Sequence, residues 1–408
     1  MRLLPAMRNS AFLLPFILMS SFAFAQYKND NVAFKTVYME EFCKQFKSNP
    51  NAVLLDVRSQ GEYDDTSRAV GLNIGRLKAT AHIDINQLNT RWRELLPYKD
   101  QPVYVYCSHS QRSRRASKML ADSGFTNIIN VNGGLTYYNL LEMQKQCADL
   151  YETSNPYKLL SPLNVCSFLS STKDVFIIDV RKDSGYNGIA LEERQNAYGK
   201  FNKSVNIPLD QLDKSYSTIP KGKTILVVDE YGGNAVMAAK QLVKNEFYNV
   251  YVLFNGFDAL VTADKKDLGC IDQYWQHKTA YATVTPVEFD QLAKKQKELQ
   301  LVDVRTAEEF KNESKTTWRN IGTIKGAVNI PLNEMEAKSN TLDKNKPVLV
   351  YQFGGPDAFA AAKTLTQQGF SKVYVLAPGL FSLRWQAANL SGKSYLKDWV
   401  VNVPEENR

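Results

Sequence analysis

Val103-Tyr104-Val105-Tyr106-Cys107-Ser108-His109-Ser110-Gln111-Arg112-Ser113 runs an apolar strand into a short polar loop, and the loop into a helix. The helix carries Ala116, Met119 and Leu120 at helical spacing until Gly124 ends it. Cys107 stands where the strand stops. Backbone N–H groups at such a turn are unpaired and point into the loop. With the helix dipole and Arg112 they form a cradle for a small anion held on the sulfur.

Outward from this stretch, the chain repeats itself. Asp56-Val57-Arg58 returns as Asp179-Val180-Arg181 and Asp303-Val304-Arg305, at intervals of 123 and 124 residues. The loop position follows each aspartate after 51, 50 and 49 residues, at Cys107, Asp229 and Gln352. A glycine lies 27 further on in every copy: Gly134, Gly256 and Gly379. Asn206-Ile207-Pro208-Leu209 and Asn329-Ile330-Pro331-Leu332 also correspond, with His82-Ile83-Asp84-Ile85 in their place in the first copy. Short Val/Ile/Leu-rich strands alternate with helical segments throughout, the pattern of a parallel sheet covered by helices on both faces. The expected fold class is therefore α/β in three tandem units. The expected boundaries are 26–152, 153–279 and 280–408, with breaks near Glu152 to Pro156 and near His277 to Thr283. At the second break, Thr285-Pro286-Val287-Glu288 has the form of a capping box with proline at the first helical position.

Three separated pieces of the first copy resemble the rhodanese (thiosulfate sulfurtransferase) family. They are Leu54-Leu55-Asp56-Val57-Arg58 with Glu62-Tyr63, the Cys107 to Arg112 loop, and Gly124-Phe125 followed by Asn132-Gly133-Gly134. The resemblance implies three tandem rhodanese-like domains, each a mostly parallel central sheet flanked by helices. It implies that Cys107 takes a sulfane sulfur from thiosulfate or a similar donor and holds it as a persulfide. The loop residues Ser108, His109, Ser110, Gln111 and Arg112 would then bind the substrate. Arg112 would orient the anion; the alternative is an arginine that only braces the loop against a backbone carbonyl or Asp56. Asp56, Arg58 and Glu62 are expected to form a structural charge cluster at the strand end. Ser110 stands where active members of the family commonly have glycine, so a left-handed backbone there carries strain. Arg114 and Arg115 are expected on a solvated helix face; the alternative is that they attract an anionic donor.

The corresponding loops, Asp229-Glu230-Tyr231-Gly232-Gly233-Asn234-Ala235 and Gln352-Phe353-Gly354-Gly355-Pro356-Asp357-Ala358, have neither the sulfur nor the arginine. Only the first copy is expected to turn over. The other cysteines keep register with the repeat. Cys43 and Cys166 each lie 13 residues before their aspartate, while Cys147 and Cys270 lie 13 and 14 after their glycine; the third copy has neither member. Two cysteines present together twice and absent together once suggest Cys43 paired with Cys147 and Cys166 with Cys270. Four buried, unpaired thiols are the alternative.

Residues 1–25 have the form of a cleavable signal: Arg2 and Arg8, an apolar run from Ala11 to Met19, then Ala23-Phe24-Ala25. The run is shorter than the roughly 20 residues of a spanning helix, so export to the periplasm or beyond is expected, without stable membrane insertion. The net charge of +8 is spread along the chain, which argues against nucleic-acid binding. His82, His109 and His277 are scattered, so neither a metal nor another cofactor is expected. The expected partners are a small anionic sulfur donor and a thiophilic acceptor, with the second and third copies offering surfaces to a protein partner. Three rival functions are distinguishable. A related phosphatase class has five residues between cysteine and arginine, and this loop has four. Disulfide exchange is disfavoured because no Cys-x-x-Cys exists. A secreted scaffold with a vestigial Cys107 is the remaining alternative.

Overall fold

The structure, a computed structural model, describes residues 32–141, 143, 147–277 and 279–405. The signal segment expected over 1–25 lies outside them. Among the described residues no helix is long and apolar enough to cross a membrane.

Three five-stranded sheets follow one another, and every pairing within them is parallel. In the first, the spatial order is Lys35–Tyr38, Ile128–Asn132, Val103–Tyr106, Val53–Asp56, Ala81–His82. The equivalent order recurs in the second and third sheets, with Ile225–Val228 and Val348–Tyr351 at their centres. These central strands are apolar runs because both faces are covered. Val103, Val105 and Cys107 pack with Ala116 and Leu120 of the helix Gln111–Asp122 on one face. Tyr104 and Tyr106 pack with Phe42, Leu135 and Tyr138 on the other. The two-residue period of the strand thus turns the Cys107 side chain toward the helix that follows it.

That helix forms because Ser113, Ala116, Ser117 and Leu120 make one buried face. It stops where Gly124 takes a left-handed conformation, φ +88°. The helix Pro286–Lys295 begins with the Thr285–Glu288 capping box read from the sequence.

Register explains the repeated aspartates. Asp56 lies opposite Tyr106, Asp179 opposite Val228 and Asp303 opposite Tyr351, each one residue before the loop position. Every aspartate accepts from the arginine two residues later, at 2.8, 2.7 and 2.6 Å, and all six side chains are fully buried. Desolvating such a pair is costly, so its return is geometric: it fixes the chain direction where the strand ends.

The repeated glycines have a common cause as well. Gly134 has φ +55°, and a Cβ there would collide with the carbonyls of Cys107 and Ser108. Gly256 and Gly379 meet the equivalent carbonyls of their own loops. The next two N–H groups, of Leu135 and Thr136, donate to those carbonyls at 3.0 Å each. Phe257 and Asp258 repeat this on Asp229 and Glu230, and Leu380 and Phe381 on Gln352 and Phe353. The loop after each central strand is therefore pinned by the start of the next helix.

Cys43 is bonded to Cys147 and Cys166 to Cys270, with Cα atoms 5.8 and 5.4 Å apart. Each bridge joins a domain's first α-helix to the chain that follows the helix begun at Gly134 or Gly256. In the third domain the same tie is polar, with Trp399 Nε1 donating to Asp290 Oδ1 at 2.8 Å.

Each domain touches the other two. Val70 packs into the core of the second domain. Arg194 of the second donates to Gly354 O of the third at 3.1 Å. Arg114 of the first donates to Asn389 Oδ1 of the third at 2.7 Å.

Candidate functional site

Cys107 is the one free thiol among the described residues, and it is 1% exposed. The N–H of Ser110 donates to its Sγ at 3.2 Å, and Ser113 Oγ lies 3.6 Å away. The Ser113 hydroxyl donates to Ser110 O at 3.1 Å, which closes the loop on itself. Ser110 has φ +87°, in the left-handed region. Its Oγ accepts from Gly133 N at 2.5 Å, a bond glycine would not make and one that offsets part of the backbone strain. Gly232, three residues after Asp229 as Ser110 is three after Cys107, has φ +88°.

The second domain shows what this loop holds. Asp229 Oδ1 accepts from Gly232 N at 2.5 Å, and Oδ2 from Asn234 N at 2.7 Å and Ala235 N at 3.2 Å. Three backbone donors thus converge on one carboxylate. By loop position they correspond to the N–H groups of Ser110, Arg112 and Ser113. The last two lie in a first helical turn, where no preceding carbonyl of the helix is available. Burial pushes the Asp229 carboxyl up to about 6 even though the backbone donors pull it down. An aspartate is one atom longer than a cysteine, so its carboxylate carbon stands in for Sγ. Its oxygens mark where an atom attached to that sulfur would sit.

Charges around the loop pair differently from expectation. Asp56 and Arg58 close on each other, and Arg58 Nη1 also donates to Glu62 O at 3.1 Å. The Glu62 carboxylate turns away from that pair. It accepts from Arg112 at 2.5 and 2.6 Å, from Ser59 N at 3.1 Å and from Ser59 Oγ at 2.8 Å. Burial alone would raise the Glu62 carboxyl; the Arg112 and Ser59 hydrogen bonds outweigh it and hold the group at about 2. Arg112 also donates to Ser108 Oγ at 2.8 Å. It therefore braces the loop through a carboxylate, neither Asp56 nor a carbonyl. Ser108 is buried, whereas His109 and Gln111 are exposed; His109 Nδ1 lies 2.8 Å from Ser108 Oγ.

Several contributors were not read from the sequence. Ser59-Gln60-Gly61-Glu62 is a complete capping box, and the Ser-x-x-Glu spacing was its signal. Ser113 carries no such mark. Arg115 is exposed as expected, but Arg114 is half-buried against the third domain rather than solvated.

In the third domain Gln352 takes the cysteine's place and is 4% exposed. A cavity of about 330 Å³ opens beside it, lined by Arg305, Glu309, Arg319 and Asp357 among others. Among the described residues no group of His, Cys, Asp and Glu has the arrangement of a metal site.

The rhodanese-like domain family model matches residues 40–140, 167–263 and 285–386. A thiosulfate sulfurtransferase, GlpE, of Coxiella burnetii is 30% identical over 107 residues, covering 26% of this chain and 89% of that protein. An uncharacterized protein, YqhL, of Bacillus subtilis is 32% identical over 128 residues, covering 31% of this chain and 90% of its own length. Among solved structures, a thiosulfate sulfurtransferase from Pseudomonas aeruginosa aligns with 85% of this chain and 67% of its own, at 16% identity and a TM-score of 0.22.

Proposed function

This chain belongs to the family of rhodanese-like domains, matched three times along its length, and we propose that it is an exported sulfurtransferase whose first domain alone carries sulfur. The family and its sulfurtransferase relatives support sulfur transfer in general terms. The finer reading rests on one observation: three backbone N–H groups of the second domain close on the Asp229 carboxylate. The Ser110 N–H already reaches Cys107 Sγ at 3.2 Å, and by loop position the N–H groups of Arg112 and Ser113 complete a cradle that suits a terminal persulfide sulfur bearing negative charge.

The Cys107 thiolate attacks the outer sulfur of thiosulfate or a similar donor. A new S–S bond forms, the donor's own S–S bond breaks, and sulfite leaves with that electron pair. A thiophilic acceptor such as cyanide or a thiolate then attacks the outer sulfur of the persulfide, and Cys107 departs again as thiolate. No net oxidant or reductant is consumed. Ser110, Arg112 and Ser113 supply fixed N–H dipoles, while Glu62 and Ser108 hold the Arg112 end of the loop in place. Two disulfides and the signal-like residues 1–25 favour an oxidising compartment outside the cytoplasm.

The test is mass spectrometry of folded protein after exposure to thiosulfate. A gain of one sulfur atom on Cys107, absent in Cys107→Ala and discharged by cyanide, is the expected result. An intact protein with a free Cys107 thiol that takes no sulfur from thiosulfate, persulfide or polysulfide overturns the proposal.

A further inference from the structure

We propose that the third domain completes the sulfur site of the first, with Asn389 and Trp385 acting as positioning residues that aim Arg114 and brace the loop behind Cys107. This deepens the reading of Cys107 as the sulfur carrier and rests on it.

Two guanidinium groups of the first domain feel the charge of Cys107, those of Arg112 and Arg114. Arg112 is cancelled by a bidentate carboxylate, Glu62. Arg114 meets no carboxylate among the described residues. Its Nη2 donates to two amide oxygens, Asn132 Oδ1 at 3.2 Å and Asn389 Oδ1 at 2.7 Å, and its buried Nε has no partner. Cys107 and Tyr38 are the titratable groups whose charge reaches it, and burial lowers its pKa to about 10. A desolvated cation with only neutral partners is costly, and an anion facing it removes that cost. Cys107, as thiolate or persulfide, is that anion.

The orientation of Arg114 is set from the third domain. Asn389 Nδ2 donates to Trp385 O at 2.7 Å, which leaves its oxygen for the guanidinium. Within the first domain Asn132 Oδ1 accepts from both Asn130 Nδ2, at 2.7 Å, and Arg114, so it is shared between two donors. A second line of contact runs from the same helix. The Trp385 ring lies 5.3 Å from that of Tyr137. Tyr137 packs so closely on Gly133 that an added Cβ would come within 2.7 Å of it. Gly133 N–H donates to Ser110 Oγ, and Ser110 N–H donates to Cys107 Sγ. A domain without its own sulfur therefore contributes to the site of one that has it.

Alkylation of Cys107 by neutral iodoacetamide across a pH series tests this without any sulfur donor. Loss of an opposite charge close to an ionising group shifts its titration by about one pH unit or more. In Arg114→Met the pH of half-maximal alkylation is expected to rise by about that much, slowing the reaction roughly tenfold below the midpoint, and in Asn389→Leu, which keeps the cation but loses its aim, to rise by less. Asn389→Asp, which exchanges one side-chain atom group and gives Arg114 a carboxylate, is expected to move the profile the same way. Folded variants, checked by circular dichroism and melting, whose profiles superimpose on that of the wild type overturn the proposal. If Arg114→Met does not fold, Asn389→Asp decides. An absence of sulfur transfer in the wild type leaves this measurement unaffected, so the two readings fail separately.

Discussion

Glu62→Gln isolates the interaction on which the loop's rigidity depends. The carboxylate is 3% exposed and receives four hydrogen bonds, two from Arg112 and two from Ser59. Held at about 2 against an ordinary 4.5, it differs by 2.5 pH units. At about 1.4 kcal/mol per unit this corresponds to roughly 3 kcal/mol of stability. Arg112 is 28% exposed, so solvent screens part of the interaction, and roughly 2 kcal/mol is the expected cost of the substitution. The sign follows from a folded pKa below the unfolded one. The contribution is complete above about 4.5 and is lost as pH falls through 2. Wild type and Glu62→Gln should therefore differ by roughly 2 kcal/mol at neutral pH and converge in strong acid. Amide exchange across the first domain in urea at neutral pH gives the first value, and calorimetry of both proteins down to about pH 2 gives the convergence. A difference that stays constant with pH, or a variant as stable as wild type at neutrality, refutes the assignment of Glu62 as the ionised brace.

Ser110→Gly relieves a left-handed residue, worth about 1 to 2 kcal/mol, and removes the bond from Gly133, worth about 0.5 to 1.5 kcal/mol. A net change within about 1 kcal/mol, with sulfur loading retained, is expected by urea unfolding and mass spectrometry. Cys107→Asp should fold, carry no sulfur, and slow amide exchange at Arg112 and Ser113 as their N–H groups close on the new carboxylate; unchanged exchange there argues against the persulfide position. Reducing the two disulfides, each closing 104 residues, should cost up to about 4 to 5 kcal/mol per domain in the chain-entropy model and leave the third domain as stable as before. Proteolysis with and without reductant, mapped to the three domains, checks it.

The parts of the fold that were legible in the sequence are those that act locally or repeat. The Asp-x-Arg pairs close within two residues, and the glycines 27 after each loop start recur because the same carbonyls lie beneath them. The left-handed site at Ser110 was expected from the glycine that the family commonly has there, and Gly232 takes the same conformation in the second copy. Less legible were contacts whose partners are far apart in the chain and unlike in the three copies. Glu62 meets Arg112 across 50 residues, and the other copies lack that arginine. Arg114 meets Asn389 across 275, in another domain. A charge pattern read along one helix assigns Arg114 to solvent because nothing in its own segment records the amide that covers it.

The three loops differ by a few atoms, and on the proposed function that difference separates a carrier from its relatives. A carboxylate in the second loop satisfies all three donors from within the chain, so no external anion can compete without first leaving those N–H groups unpaired in a buried place. The third loop offers a neutral amide at Gln352, while Pro356 falls at the position of Gln111, whose N–H is not one of the three. Only the cysteine is short enough to leave the outer position open and chemically able to bond what enters it. Without that cysteine, the later copies keep their strands, glycines and Asp-x-Arg corners, because those residues hold a fold, and in the third domain that fold holds Arg114.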